Sequence, residues 1–222
     1  MILTPLVAGL RMSKVLLING SPHKEGCTFT ALSEIAKTLE AQGVGSEIYW
    51  VGKEPLRGCI GCGACSKGNG CAFGKDDGVN YIRERLDEFD AVVLGSPVHY
   101  AAASGQIKCF ADRLWYSSTG KLMNKVGASI VSCRRGGASA AFDELNKYFT
   151  IAKMPLASSQ YWNQVHGSKP EDVLRDEEGM QTMRTLALQI AWMVKCIEAG
   201  RKAGIEAPVY EPVIRTNFVK PQ

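Results

Sequence analysis

The sequence contains no G-x-G-x-x-G, so the usual dinucleotide fingerprint is missing, and no G-x-x-x-x-G-K-[ST], which removes the nucleoside triphosphate loop. It has no H-E-x-x-H, no G-x-S-x-G and no paired-carboxylate pattern, so hydrolysis finds no support. There is no low-complexity tract and no evident repeat. The net charge of +4 is not gathered into a basic run, which argues against nucleic acid and only faintly for a small anionic ligand. No apolar run is long enough for a membrane span. The segment from Met1 to Leu10 is apolar but short, and it lacks the charged start and small-residue cleavage site of a signal peptide. No membrane partner and a cytoplasmic location are therefore expected, with Met12-Ser13-Lys14 as the natural start and residues 1–12 as an extension. Eight cysteines in 222 residues are too sparse, in too long a chain, for a secreted disulfide scaffold.

What is present alternates between strand and helix signals. Lys14 to Asn19 is a short apolar run that breaks at Gly20-Ser21-Pro22. Helical spacing follows from Thr28 to Gln42, closed by Gly43, and a second strand is expected at Glu47 to Val51. Asp76-Asp77 offers an N-cap for a helix to about Glu88, and Ala91 to Gly95 reads as the third strand. The loop Ser96 to Gly105 leads to a helix through Tyr116, and Val126 to Ser132 is the fourth strand. A helix to about Lys153, a fifth strand near Pro155 to Tyr161, and a long helix from Asp176 to Ala199 stopped by Gly200 complete the chain. Apolar strands without strict alternation, separated by helices, predict an α/β protein with a parallel five-stranded sheet covered on both faces. The expected order is flavodoxin-like, 2-1-3-4-5. Ligands of such sheets sit beyond the carboxyl ends of the strands, here the loops at Gly20, Ser96 and Cys133.

The first loop, Gly20 to Thr28, runs into a helix N-terminus, whose N–H groups and dipole suit a phosphate. Ser21 and Thr28 add hydroxyl donors, and a protonated His23 would add a charge-assisted one. A plain strand-to-helix turn capped by Thr28 is the alternative. The run GCIGCGACSKGNGC carries Cys59, Cys62, Cys65 and Cys71. Three thiolates two residues apart can curl around one face of a cubane, and interleaved glycines allow the curl. The ferredoxin spacing differs, with three residues before the last cysteine and a proline after it; here there are five, and Ala72 follows. Zinc, which favours two separated CxxC knuckles, fits less well. A glycine-rich loop of free thiols remains the other reading.

Taken together, GSPHKEGCT, then the cysteine run followed by Asp76-Asp77, then GSPVHYAAASGQIKCFADR resemble the NADPH-dependent FMN reductase family, in particular its iron–sulfur flavoprotein branch. The resemblance covers roughly residues 14–137. It implies a single FMN-binding domain over residues 13–204, with a cysteine-rich loop at 52–76 and a tail at 205–222. It implies that Ser21, His23, Cys27 and Thr28 hold the FMN phosphate, with His23 where arginine is common and Cys27 where asparagine is. The second loop, Pro97, Val98, His99 and Tyr100, would wrap the ring. His99 replaces a common tyrosine there and leaves Tyr100 as the aromatic neighbour. Arg134, Gly136 and Gly137 in the third loop would meet the pyrimidine edge or ribityl chain; a surface turn with solvated arginines is the alternative.

The activity so implied is an FMN-dependent oxidoreductase. NAD(P)H would be the co-substrate, and a quinone, azo or nitro compound, or free flavin, the small-molecule acceptor. If the four cysteines hold a [4Fe-4S] cluster, the protein becomes a two-to-one electron converter served by a ferredoxin-like partner. The resemblance further implies a homodimer or homotetramer, for which Trp115-Tyr116 and Tyr161-Trp162 are candidate contacts; the four aromatics otherwise read as core residues rather than flavin stackers. Cys109, Cys133 and Cys196 read as buried small hydrophobes, His166 as a loop histidine, and Asp112-Arg113 as a structural salt-bridge pair.

Overall fold

In the computed structural model, which describes residues 12–73 and 77–216, the apolar runs pair as one parallel sheet. Its strands are β1 (Lys14–Asn19), β2 (Gly45–Trp50), β3 (Ala91–His99), β5 (Val126–Cys133) and β6 (Gln164–His166), in the order β2-β1-β3-β5-β6. A two-residue strand, β4 (Ala102–Ala103), folds back antiparallel on the end of β3. Set aside that hairpin and the order is the expected flavodoxin-like 2-1-3-4-5. Both faces of the sheet are covered. Leu16, Ile18, Val92 and Leu94 pack with Ile107, Phe110 and Leu114 in one core. Val15, Leu17 and Val93 pack with Leu32, Ile35, Met183 and Leu186 in the other. Adjacent residues of a strand point to opposite faces, so a six-residue apolar run feeds both cores at once.

The helices are α1 (Cys27–Ala41), α2 (Val79–Arg85), α3 (Gly105–Leu122), α4 (Ala138–Ile151), α5 (Pro170–Arg175) and α6 (Glu177–Lys202). Helix α3 is capped by Ser104, whose side chain accepts from the Ile107 N–H, and α6 by Asp176, which accepts from the Gly179 N–H. Among the described residues no helix is long and apolar enough to cross a membrane.

Several boundaries depart from the pattern: β3 runs on to His99 and α3 to Leu122, past the expected Gly95 and Tyr116. The fifth parallel strand lies at Gln164–His166, not at Pro155 to Tyr161, where only Leu156 forms an isolated bridge, to Gly127. The side-chain amide of Asn163 donates to the Ser129 carbonyl at 3.0 Å, and the backbone carbonyl of Asn163 accepts from the Val131 N–H at 2.9 Å. Asn163 thereby sets where pairing begins. Helix α2 starts after Gly78, with φ +79, so Asp77 sits one residue before the cap; its Oδ1 accepts from the Val79 N–H at 3.3 Å and its Oδ2 ion-pairs with Arg113; Asp76 lies outside the described residues. Helix α6 passes through Gly200 and stops beyond Lys202, where Gly204 takes φ +81. Arg201 and Lys202 in its last turn favour the dipole, and Lys202 pairs with Glu198 at 2.7 Å, which offsets the propensity cost of the glycine.

Other expectations are corrected by burial. Cys196 is exposed and Cys109 half-buried, so only Cys133 of the three sits in the core. Trp115 is a core residue packed edge-on against Tyr148 and Phe149, while its neighbour Tyr116 is exposed. His166 belongs to β6 rather than to a loop.

Candidate functional site

The register of the sheet brings the carboxyl ends of all five parallel strands to one edge. Asn19 stands opposite Trp50 and Gly95, Pro97 opposite Ser132, and Cys133 opposite His166. A cleft of about 730 Å³ opens there, within the size range of cofactor pockets. It is lined by the first loop, including Ser21, His23, Cys27 and Thr28, by Pro97, Val98 and His99, and by Arg134.

The first loop is held by its own hydrogen bonds. The Asn19 side chain accepts from the Ser21 N–H at 3.1 Å and donates to the Lys24 carbonyl at 3.0 Å. The Trp50 indole donates to the Ser21 carbonyl at 2.8 Å. Ser21 Oγ accepts from the His23 N–H at 3.1 Å, which leaves the hydroxyl proton to give. No side chain caps α1, and no acidic residue occupies its first turn, so its N-terminal N–H groups face the cleft unopposed. Thr28 does not cap the helix; its hydroxyl is buried against Ser132 Oγ. Burial pushes the Cys27 thiol above its ordinary range, and Asp172 and Glu171 add to the rise. The thiol therefore stays neutral beside any anion and points to the Gly167 carbonyl.

The second loop is a tight hairpin, with His99 paired to Ala102 and Tyr100-Ala101 at its tip. Glu144 of α4 fixes it by accepting from the Ala103 N–H at 3.1 Å and pairing with Lys108 at 2.8 Å. Tyr100 has φ +56, an uncommon conformation for a bulky residue, and its side chain is fully exposed. It does not line the cleft, and neither do Gly136 and Gly137. Gly137 serves a different purpose. At φ +90 it caps α4, and a Cβ there would stand 2.8 Å from Val98 Cγ1 and 3.0 Å from Ala101 Cα. It lets α4 start directly beneath the hairpin. Arg134 and Arg135 are both exposed, and Arg134 reaches the cleft rim.

Several lining residues carry no local motif. Trp50 and Lys53 enter from the end of β2, Ser132 from β5, and Gly167 to Pro170 from the turn after β6. The last group follows from the true position of the fifth strand. A tryptophan ending a strand next to a glycine-lysine pair was the signal available for the first two.

The cysteine run forms a second site. Cys59, Cys62, Cys65 and Cys71 are all free thiols, and all four line one pocket of about 520 Å³ together with Phe73, Arg113 and Tyr116. Gly61 and Gly63 take φ +64 and +69, which turns the chain between the cysteines. Asn80 of α2 clamps Cys71 from both sides, accepting from its N–H at 2.8 Å and donating to its carbonyl at 3.0 Å. Arg83 donates to the Gly68 carbonyl at 2.9 Å and the Ser117 carbonyl at 3.0 Å, tying the loop to α3.

Beneath the loop lies Arg113, 1% exposed. Its Nε donates to Cys71 Sγ at 3.1 Å, and its Nη1 donates to the Arg57 carbonyl and to Asp77. Burial lowers its pKa, but the bonds to Asp77 and Cys71 more than offset this, so the guanidinium is charged. The expected aspartate–arginine pair is thus re-partnered: Arg113 takes Asp77, and Asp112 accepts from the Tyr148 hydroxyl. Among the described residues no three His, Cys, Asp or Glu converge as they would around a single metal ion. A cubane is ligated at its corners, so its thiolates stand further apart than those around one zinc. Four thiols on one pocket over a buried cation fit an anionic cluster in charge and donor type.

Fold and cleft define a flavodoxin-like protein with a nucleotide-sized site at the strand ends and a separate thiol pocket. Residues 13–168 match the NADPH-dependent FMN reductase model, and the chain belongs to that family. It is similar to an iron–sulfur flavoprotein of Methanocaldococcus jannaschii, 31% identical over 193 residues that cover 83% of this chain and 99% of the relative. An iron–sulfur flavoprotein of Archaeoglobus fulgidus is 32% identical over 176 residues, covering 77% and 85%. Among solved structures, RosB with bound 8-demethyl-8-formylriboflavin-5'-phosphate superposes with a TM-score of 0.63 at 14% identity, over 95% of this chain and 93% of the other. An archaeal flavodoxin does so with a TM-score of 0.56 at 16% identity, over 83% and 99%.

Proposed function

We propose that this chain is an iron–sulfur flavoprotein that holds FMN in the strand-end cleft and a [4Fe-4S] cluster on Cys59, Cys62, Cys65 and Cys71. Electrons from a ferredoxin-like partner would pass to a small-molecule acceptor. One observation carries the reading: the four thiols line a single pocket whose floor is a buried, charged arginine. When bound, the two groups supply exchange between one-electron and two-electron transfer.

The residues of the chain have simpler tasks. Ser21 and the uncapped N-terminus of α1 bind the phosphate with a free hydroxyl and backbone N–H groups. Trp50 and Asn19 keep that loop in its bound shape before the ligand arrives, so less ordering entropy is lost on binding. Pro97, Val98 and His99 present backbone to one edge of the ring, and Gly137 holds them there. The neutral Cys27 thiol avoids repelling the phosphate.

The test is anaerobic reconstitution with iron and sulfide, followed by iron analysis and a visible spectrum. About four irons per chain and one FMN are expected, with Cys62→Ser lowering the iron. Wild-type protein that binds FMN but no iron would end the cluster reading.

A second reading, an NAD(P)H-dependent flavin oxidoreductase without a cluster, is favoured by the family match and by the cationic rim of Lys53, Arg134 and Lys169, which suits a nicotinamide phosphate. Steady NADPH oxidation by iron-free, FMN-loaded protein would support it over the carrier.

A further inference from the structure

Arg113 is the largest fully buried side chain among the described residues. Burying a guanidinium costs several kcal/mol unless every donor is paired. Here Nε meets Cys71 Sγ and Nη1 meets Asp77 and the Arg57 carbonyl, but Nη2 is buried with no hydrogen-bond partner among the described residues. Its ring-face contact with Phe73, 5.7 Å from guanidinium to centroid, holds the plane in place without satisfying that donor. The residue also lines the pocket shared by the four cysteines. A buried charged donor left over at the floor of a thiol pocket is available to an acceptor in that pocket, and its charge favours an anionic one.

We infer that Arg113 is a positioning residue that, through its N–H bond to Cys71 sulfur and its spare Nη2 donor, raises the reduction potential of the group the four cysteines hold. The inference rests on the proposed cluster. A [4Fe-4S] centre with four thiolates is a dianion when oxidised and gains one further negative charge on one-electron reduction. A cation and an N–H···S bond both favour the more negative form, so both raise the potential. Asp77 acts the other way. It holds the guanidinium in plane, and its own charge opposes the added electron. The two side chains therefore have opposite expected effects on one observable, which a loss of packing alone would not produce.

The experiment uses the full-length chain, reconstituted anaerobically, with iron per chain counted first. The midpoint potential is then read by dithionite titration, followed by electron paramagnetic resonance of the reduced cluster. Arg113→Gln should retain iron and titrate at a more negative potential than wild type. Arg113→Lys, which keeps the charge but not the planar set of donors, should fall between them. Asp77→Asn should shift the potential upward. An iron-loaded Arg113→Gln with the wild-type potential overturns the inference, as does a downward shift in Asp77→Asn. Should Arg113→Gln fail to fold, the pair Arg113→Lys and Asp77→Asn decides: opposite shifts support the assignment, and unchanged or parallel shifts overturn it. Wild-type protein that loads no iron removes the cluster reading itself, a failure distinguishable from loaded protein that ignores Arg113.

Discussion

Thr28 Oγ1 and Ser132 Oγ lie 2.9 Å apart, both buried, and join the first turn of α1 to the end of β5 across 104 residues of sequence. The contact fixes the first loop against the third. It also separates the roles of the two hydroxyls that the first loop contributes: Ser21 has a free proton for a ligand, while Thr28 is engaged within the protein.

Two single substitutions resolve those roles. Ser21→Ala should weaken FMN binding by about 1–3 kcal/mol, the scale of a hydrogen bond to a charged group, with little change in the melting of the FMN-free protein. Thr28→Val should do the reverse in part. It leaves the Ser132 hydroxyl buried without a partner, at a cost of about 1–3 kcal/mol in stability. Flavin fluorescence titration and denaturant unfolding report the two effects. Unchanged FMN affinity in Ser21→Ala would move the phosphate elsewhere.

Tyr100 at φ +56 stores strain at the tip of the ring-side hairpin. Tyr100→Gly relieves about 1–2 kcal/mol of left-handed backbone cost and adds about 0.5–1 kcal/mol of unfolded-state entropy. A net gain of up to about 1 kcal/mol in stability is expected, accompanied by weaker FMN binding if the exposed ring covers the flavin. Urea unfolding and FMN titration of the same variant check both parts; a less stable glycine variant would show that the tyrosine is held by contacts rather than strained.

The acid limb of stability has a named contributor. The bidentate hydrogen bond from Arg85 at 2.7 and 2.8 Å, with help from Lys14 at 2.8 Å, holds the Glu47 carboxyl at about 2 against partial burial that would raise it. Because the folded-state value is depressed, the contribution is fully present above the ordinary glutamate range near pH 4.5 and is lost as pH falls toward 2. Glu47→Gln should be less stable than wild type at neutral pH and lose less stability between those limits. Denaturant midpoints measured from pH 6 to pH 2 give the comparison; parallel curves would show that Glu47 does not contribute to acid lability.

Assembly provides a further expectation. Tyr161 and Trp162 stack edge-on, 4.8 Å between centroids, yet are 49% and 53% exposed, which is the pattern of aromatics awaiting a neighbour. We propose them, in place of the buried Trp115, as contacts of a homodimer or homotetramer. Replacing both with serine should lower the mass seen in sedimentation velocity. A wild-type monomer with full FMN occupancy would remove the proposal.

The sequence by itself determined whatever depends on neighbours along the chain. Apolar runs of six residues separated by helical spacing admit only a covered parallel sheet. A small-residue loop between a strand and a helix exposes N–H groups of a kind that suits an anion. Cysteines three apart with glycines between them can curl toward one another irrespective of the rest of the fold. The tertiary structure decided what depends on register and burial. Asn163 bonds to Ser129 and Val131, so the fifth strand begins after it and brings Gly167 to the cleft, which no local propensity indicates. The Trp50 indole reaches the Ser21 carbonyl only because β2 lies beside β1 with Asn19 opposite Trp50. Arg113 reads in the sequence as one half of a helix-end salt bridge; its burial beneath Cys71, 42 residues away, is a result of packing α3 under the cysteine loop. Local periodicity and turn chemistry are encoded residue by residue, whereas the environment of a single charged group is set by the elements that close over it.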